Sequence, residues 1–131
     1  MADFPSMTHV AVTVTDLQVS VPWYKALLGS DPVLDEDTGP FHHTVFALGG
    51  MLFGLHQHPG AGAVGRFDER NTGLDHIAFG VADRAELETW ADRLEEMGVA
   101  HSGIVDAHYG SGLSFRDPDN IALELFAPPA A

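Results

Sequence analysis

The sequence contains no cysteine and few basic residues, and each shortage excludes a class of protein. Without cysteine the chain can form neither a disulfide framework nor a thiolate nucleophile. Only 6 Lys and Arg residues stand against 19 Asp and Glu residues, which gives a formal net charge of −13. A chain this acidic is repelled by phosphate backbones and by anionic lipid. We therefore expect neither a nucleic acid nor a membrane surface as a partner.

Long apolar runs and targeting signals are missing as well. No uninterrupted apolar stretch approaches the roughly 20 residues that a membrane-spanning helix needs. The opening Met-Ala-Asp-Phe-Pro lacks the basic and then apolar pattern of a secretory signal. Hydrophobic residues nevertheless make up 45% of the 131 positions, which is enough to bury a core. These features predict one soluble domain over 1–131 with a cytoplasmic location.

An internal repeat organises the chain. The segment HVAVTVTD at 9–16 matches HIAFGVAD at 76–83 at a constant offset of 67, with His, Ala, Val and Asp coinciding. Both segments alternate between apolar and small or polar residues, which is typical of a half-buried strand. The repeat therefore predicts two copies of one structural unit.

A helix signal follows each of these strands. In the second copy Asp83 and Glu86 form a capping box ahead of an amphipathic pattern. In the first copy Asp16 or Ser20 is the expected cap, and Pro22 is expected only in the first turn, because proline cannot donate a helical hydrogen bond. A glycine is expected to end each helix, Gly29 in the first copy and Gly98 in the second.

Three strand-like segments follow each helix. They fall at about 32–36, 41–48 and 51–57 in the first copy, and at about 99–106, 111–116 and 121–127 in the second. This order predicts an α+β fold of two tandem βαβββ modules, which form a curved mixed sheet around a ligand cleft. Module one covers about 7–58 and module two about 73–128. The segment 59–72 lacks periodicity, so we interpret it as a linker that can act as a flap over the cleft.

Two histidines and one glutamate are the strongest candidates for chemistry. His9 and His76 occupy the same position in the two copies, where pseudo-symmetry would let them face each other. Glu124 lies in the apolar strand IALELF, where a carboxylate is costly to bury unless it is paired or bound to a metal. Two histidines and one carboxylate form the facial triad used for Fe(II) and similar ions. We expect these three residues to be metal ligands, with Glu124 also a candidate catalytic residue.

The first copy has no carboxylate at the position that corresponds to Glu124. Aligning Leu55 with Leu125 places Gly54 opposite Glu124, and glycine cannot ligate a metal. His56 lies two residues further along on the same face. It either reaches the metal as a fourth ligand, with the missing side chain at 54 making room, or it only lines the cleft.

Further residues are candidates for the lining of the cleft. Only one of His42 and His43 can face it, because neighbours on a strand point to opposite sides. We select His43 together with Gly54, Tyr109 and Ser114 as the substrate-cleft residues. Arg116 is expected to brace the turn at 117–120 rather than to bind a ligand.

The combined pattern resembles the vicinal oxygen chelate superfamily, which contains glyoxalases, bleomycin-resistance proteins and extradiol dioxygenases. The resemblance is carried by 9–16, by WYKALLG at 23–29, by GLDHIAF at 73–79 and by FRDPDNIALEL at 115–125. It implies metal ligands on the first and last strands of each copy, hence His9, His76 and Glu124, with Gly54 at the fourth position. Gly54 departs from the metal-dependent isomerases of the family, and Asn120 stands where the family usually has glycine.

Two functions follow as hypotheses. The first is a divalent-metal-dependent lyase, isomerase or dioxygenase, with one Fe, Mn, Ni or Zn ion per cleft chelating vicinal oxygens of a small substrate. The second is a metal-free module that binds or sequesters a small drug-like molecule, for which the charge of −13 favours a cationic guest. Members of the family often pair, so the resemblance also implies a homodimer.

Overall fold

The computed structural model describes residues 3–60 and 65–130. The chain divides into two compact units, Met1–Gly65 and Arg66–Ala131. Each unit contains one helix and four strands in the order βαβββ. The α+β fold with two tandem modules is therefore confirmed.

The elements of the first unit are strand β1 at His9–Thr13, helix α1 at Leu17–Leu28, and strands β2 at Leu34–Asp37, β3 at His42–Leu48 and β4 at Met51–Gln57. Those of the second unit are strand β5 at Ile77–Gly80, helix α2 at Arg84–Glu96, and strands β6 at His101–Ala107, β7 at Gly110–Arg116 and β8 at Ala122–Ala127.

Each unit forms a four-stranded mixed sheet with the same topology. The strand order is β1-β4-β3-β2 in the first unit and β5-β8-β7-β6 in the second. The first strand pairs with the last in parallel, and the remaining pairs are antiparallel. The parallel pair results from the helical connection, since a hairpin can join only antiparallel strands. The first and last strands of each unit thus lie side by side, where the candidate ligands are.

Helix α1 begins directly after Asp16, whose side chain accepts a hydrogen bond from the Gln18 amide. The prediction that Pro22 lies in the first turn is wrong, because the helix starts at Leu17 and Pro22 is inside it. Pro22 and Gln18 are both exposed, so water can satisfy the Gln18 carbonyl that proline leaves without an amide donor. Gly29 ends the helix in the left-handed conformation at φ 69°, as expected.

Helix α2 is capped at both ends by the expected residues. The Asp83 side chain accepts from the Glu86 amide at 3.0 Å, and the Glu86 carboxylate accepts from the Ala82 amide at 3.1 Å. Gly98, in the left-handed conformation at φ 73°, follows the last turn. Leu87 and Leu94 on the inner face are fully buried.

Each sheet buries one face against its helix. In the first unit the side chains of Phe46, Phe53 and Leu55 are fully buried together with Tyr24 of α1. In the second unit Leu113, Leu123 and Leu125 are buried in the same way. Because strand residues alternate between faces, the intervening side chains lie on the opposite, open face. The candidate site residues are on these open faces.

The segment between the units begins after β4, as the sequence predicts, but ends before the predicted boundary at residue 72. Residues 61–64 of the expected linker lie outside the described residues. Residues 67–70 are bonded to the β7–β8 turn: the Phe67 amide donates to the Asp119 carbonyl, and Arg116 pairs with Glu69 at 2.8 Å. Within the described parts of the chain, no helix is long and apolar enough to cross a membrane.

Candidate functional site

Each unit has a cavity on its open sheet face. The cavity of the first unit has a volume of about 460 Å³ and is lined by residues of β1, β3 and β4, including His9, His43 and His56. The cavity of the second unit has a volume of about 550 Å³ and is lined by residues of β6, β7 and β8, with His76 and Ala78 at its β5 side. The sequence-predicted site residues are thus divided between two cavities.

Strand register determines which histidine of the pair at 42–43 faces the first cavity. His43 lies opposite His56 in the β3–β4 ladder, so both imidazoles project from the open face. His42 projects to the other side, where it pairs with Asp35 and lines a separate cavity of about 640 Å³ beside α1. The selection of His43 as a cavity residue agrees with this placement.

Phe41 joins three of the histidines into a cluster of rings. Its ring stacks on His56 with centroids 4.5 Å apart, and lies 5.5 Å from the His43 ring and 5.6 Å from the His58 ring. His43 and His56 meet edge to face at 5.3 Å. His58 is exposed just beyond β4. Three rings of the cluster, those of Phe41, His43 and His56, are part of the cavity lining.

Two imidazoles of the cluster differ from that of a surface histidine, His56 in its pKa and His43 in its buried Nε2 atom. Burial lowers the pKa of His56 below its usual 6.5, and nearby His43, His58 and His9 lower it further, because a second positive charge would be repelled. His56 is therefore harder to protonate than a free histidine. The Nε2 atom of His43 is buried and has no hydrogen-bond partner among the described residues.

Gly54 provides the space over which the His56 ring lies. A Cβ atom placed on Gly54 would be 3.6 Å from His56 Nε2 and 3.5 Å from the Ala11 Cβ. The imidazole of His56 therefore covers the position where a side chain at 54 would project. This placement fits the suggestion that His56 uses the room left by Gly54, and it leaves open whether His56 ligates.

His9 and His76 are oriented by the residue that precedes each of them. His9 Nδ1 is 2.8 Å from the Thr8 hydroxyl, and His76 Nδ1 is 2.7 Å from the Asp75 carboxylate. Both histidines are exposed. The Asp75 carboxylate can only accept, so His76 Nδ1 donates and Nε2 keeps its lone pair for a ligand. The Thr8 hydroxyl can accept from or donate to His9 Nδ1, and only the first direction leaves His9 Nε2 with a lone pair. Each copy thus places a hydrogen-bonding side chain at Nδ1 of its matched histidine.

Glu124 lies on the open face of the second unit. It pairs with Ala78 on β5 and with Ser114 on β7, and it lines the same cavity as His76. The chain neighbours Leu123 and Leu125 are buried on the helix side, as the alternation predicts. Among the described residues that line this cavity, Glu124 is the only carboxylate.

Two glycines let side chains of β8 lie flat on β7. A Cβ atom on Gly112 would be 2.9 Å from Glu124 Oε2, so the carboxylate rests over this glycine. A Cβ atom on Gly110 would be 2.3 Å from Phe126 Cζ. Tyr109, an expected cleft residue, stacks on the Phe126 ring at 6.2 Å and lines the cavity although its side chain is 64% exposed.

Other titratable residues have structural partners. Arg116 donates to the Asn120 carbonyl in the turn and forms a two-pronged ion pair with Glu69, which lowers the pKa of Glu69 to about 2. His101 accepts from the Gly103 amide at a bulge in β6 and lies 3.1 Å from Glu95. In neither unit, over the residues that the structure describes, do three or more His, Asp or Glu side chains form a group that could hold a metal.

The sequence comparisons identify the family. The profile of the Glyoxalase/Bleomycin resistance protein/Dioxygenase superfamily matches residues 6–125. The chain belongs to this superfamily, as the resemblance of its motifs suggested.

Two curated proteins show different relationships to the chain. The metallothiol transferase FosB of Staphylococcus haemolyticus is 25% identical over 121 residues, which cover 91% of this chain and 81% of FosB. A Bacillus subtilis (strain 168) protein named "Putative ring-cleaving dioxygenase MhqA" is 42% identical, but only over 52 residues, 40% of this chain and 16% of that protein. This second match therefore involves a small part of a much longer protein.

Solved structures share the whole fold. A glyoxylase/bleomycin resistance protein/dioxygenase domain from Frankia sp. EAN1pec superposes with a TM-score of 0.88 and 31% identity, covering 98% of this chain and 96% of that one. The fosfomycin resistance protein FosX of Listeria monocytogenes, crystallised as a mutant with Mn(II) and a dihydroxypropylphosphonic acid, gives a TM-score of 0.73 at 19% identity, covering 97% and 93%. At that identity the likeness to FosX shows the fold alone.

Sequence reasoning missed several residues that shape the cavities. Phe41 lies just before β3, outside any alternating pattern, so the sequence does not predict which rings it contacts. Thr8 and Asp75 sit at the repeat offset of 67, directly before the matched histidines, and this equivalence was a signal that could have found them. Gly112 could be recognised only from the side-chain position of Glu124, which pairs with Ser114 but extends its carboxylate over Gly112.

Proposed function

We propose that the protein is a divalent-metal-dependent enzyme acting on a small oxygenated substrate, with His9, His76 and Glu124 as metal ligands and His56 as a fourth candidate. The observation that carries the proposal is the matched orientation of the two histidines. Each repeat places a hydrogen-bonding partner at Nδ1, and with both Nδ1 atoms donating, the two Nε2 atoms and the Glu124 carboxylate form a donor set.

The donor set fits a divalent ion with open coordination positions. Two imidazole nitrogens and one carboxylate are the ligands of the facial triad, which suits Fe(II), Mn(II), Ni(II) or Zn(II). A bound ion of this kind supplies Lewis-acid chemistry by polarising a substrate oxygen or acidifying a bound water. The occurrence of Mn(II) in the FosX structure and the name metallothiol transferase for FosB support a metal function in relatives with this fold.

Other roles, namely proton transfer, hydrogen bonding to the substrate and its orientation, are assigned to residues of the chain. Glu124 is the only carboxylate lining the second cavity, so it is the candidate base for a proton next to a substrate oxygen whenever it is not bound to metal. Ser114, paired with Glu124 across the sheet, can donate a hydrogen bond to a substrate oxygen. Tyr109 and Phe126 form an aromatic wall that orients the apolar part of a substrate.

Titration of metal-free protein with each ion tests the proposal. We expect one ion per expected cleft, and we expect Glu124→Gln to weaken binding by at least about 100-fold, because it removes the only anionic ligand. Glu96→Gln is the matched control, since Glu96 is exposed on helix α2. If no ion binds better than about millimolar, or if Glu124→Gln binds as well as the parent, the metal function is wrong.

A metal-free binding module is the second candidate, and one observation favours it. The cavity of the first unit is lined mainly by apolar side chains, including Val33, Leu34 and Leu52, which are exposed at its edges. Exposed apolar surface of this kind marks ligand or protein contact. Its lining contains no carboxylate, so this cavity does not support the cationic guest that the net charge suggested.

A further inference from the structure

The first unit has a second cavity on the helix side of its sheet, opposite the open face. This helix-side cavity has a volume of about 640 Å³ and is lined by residues of α1, β2 and β3. Among the described residues that line it, none is a proposed metal ligand. The Leu17 amide donates to Gln57 Oε1 at 2.8 Å, which ties the start of α1 to the end of β4 and so fixes one side of the cavity.

Two carboxylates give the helix-side cavity a negative wall. Asp35 and Asp37 lie two residues apart on β2, so their side chains share one face about 7 Å apart along the strand. Asp35 Oδ1 pairs with His42. Asp37 Oδ1 accepts from the Gly39 amide at 2.9 Å. One oxygen of each carboxylate is thus held by the protein, which leaves the second for a ligand, and the described lining contains neither lysine nor arginine.

A buried hydroxyl belongs to the same wall. Thr44 on β3 lines the cavity, pairs with Asp35 across the ladder and is only 1% exposed. Its hydroxyl forms no hydrogen bond within the part of the chain that the structure describes. Because buried hydroxyl groups are normally bonded, this group points to a ligand independently of the carboxylates.

The wall on the side of helix α1 is apolar. Leu17, Val21 and Pro22 contribute to it from the first two turns of the helix, and Phe41 and Pro59 extend it. Carboxylates face one side of the space and hydrocarbon the other. A ligand that fills the cavity therefore combines a polar or charged group with an apolar body.

The start of helix α1 does not favour an anion in this cavity. The first amides of the helix are already used, since that of Leu17 donates to Gln57 and that of Gln18 to Asp16 Oδ1. The Asp16 carboxylate also offsets the positive end of the helix dipole. Together with the net charge of −13, the two aspartates on β2 favour a cation.

We propose that the helix-side cavity binds a small organic cation with an apolar body. Its ammonium group lies at Asp35 and Asp37, within reach of the Thr44 hydroxyl, and its hydrocarbon part lies against α1. The cationic guest that the net charge suggests, and that the open face of this unit does not support, thus has a site on the other side of the sheet. This site goes beyond the proposed function and does not depend on a metal.

Two fluorinated probes of similar size test the charge requirement. 2-(4-Fluorophenyl)ethylamine and 2-(4-fluorophenyl)ethanol differ in ammonium against hydroxyl, and ¹⁹F NMR measures the affinity of each for metal-free protein. In the parent we expect the amine to bind at least about fivefold more tightly than the alcohol. Asp37→Asn should remove most of this preference, because asparagine still accepts from the Gly39 amide but carries no charge.

Glu36→Gln is the matched control. It removes the same charge from the neighbouring position on β2, where the side chain projects to the opposite face beside His43. This variant should keep the preference of the parent for the amine. In the ¹⁵N–¹H spectrum of the parent, shifts on binding should centre on residues 17–22 of α1 rather than on residues 9–11 of β1, which line the open-face cavity.

Three results would overturn the proposal. The first is equal affinity for the amine and the alcohol. The second is an equal loss in Asp37→Asn and Glu36→Gln, because the attraction would then be only long-range. The third is a set of amide shifts centred on residues 9–11. If Asp37→Asn does not fold, the parent spectra decide: shifts at residues 17–22 that are larger with the amine support the site, and equal shifts with both probes contradict it.

Discussion

Adding one methyl group at Gly112 should weaken metal binding without altering any proposed ligand. The Cβ of Gly112→Ala would lie 2.9 Å from Glu124 Oε2 and 3.3 Å from its Cδ. Ordinary contact begins near 3.4 Å, so the carboxylate must move by about half an ångström. A metal site tolerates displacements of only about that size before affinity is lost.

We expect Gly112→Ala to bind Mn(II) about tenfold more weakly than the parent, the loss typical of disturbing a ligand's support. Its free energy of unfolding should be unchanged or slightly higher. The displaced atoms are the end of a flexible side chain, and alanine loses less entropy than glycine in a strand. Calorimetric titration of metal-free protein and urea unfolding measure the two quantities separately.

Gly80→Ala is the control, because a Cβ at Gly80 meets nothing within 4 Å. It is a glycine-to-alanine change at the end of a strand in the same unit. If Gly112→Ala binds Mn(II) as tightly as Gly80→Ala does, then the position of Glu124 above Gly112 is irrelevant to the metal. The assignment of Glu124 as a ligand would then lose its structural basis.

Three further predictions concern stability and association. Gly110→Ala should destabilise the protein by at least about 2 kcal/mol, because Gly110 has φ +145° and a Cβ would lie 2.5 Å from the Ala127 carbonyl oxygen. Urea unfolding checks this, with Gly80→Ala as the control. In metal-free protein the free energy of unfolding should fall as pH drops below about 6.5, since unfolded His56 gains a proton before folded His56 does. His56→Gln should flatten that decline, and an unchanged pH profile would contradict the lowered pKa. The exposed apolar side chains on the open faces, such as Val33 and Val105, predict a homodimer. A sedimentation experiment that gives only the mass of one chain at micromolar concentration would argue against this prediction.

The fold could be predicted from the sequence because local signals and the repeat agree. Asp16 and Asp83 cap their helices, and Gly29 and Gly98 follow them, at positions that the pattern alone indicates. Such agreement between local preference and global order is what specifies a fold. Pro22 was misplaced because proline, which has no amide to donate, is usually tolerated only in the first turn of a helix. Here the helix starts at Leu17, and the carbonyl left without a donor is that of the exposed Gln18.

The sheet face on which each candidate strand residue lies was predictable from the sequence, but its contacts were not. Period-two alternation narrows the choice at 42–43 to one histidine, and only the pairing with β4 shows that His43 shares a face with His56. The ring cluster around Phe41 joins residues from the start of β3 and the end of β4. No pattern along a single strand predicts contacts of this kind, because they depend on how strands are placed in register.

The hydrogen bonds of residues 67–70 have a consequence for how the two repeats can be separated. Asn120 Nδ2 donates to the Phe67 carbonyl at 3.0 Å, and Arg116 holds Glu69, so this short segment is attached to the repeat that follows it. A fragment that starts at 73, where the second repeat of the sequence begins, would leave these donors without their acceptors. A fragment that starts at Arg66 keeps these hydrogen bonds. When two homologous genes exchange halves, we therefore expect the turn to be preserved only if the crossover lies before Arg66.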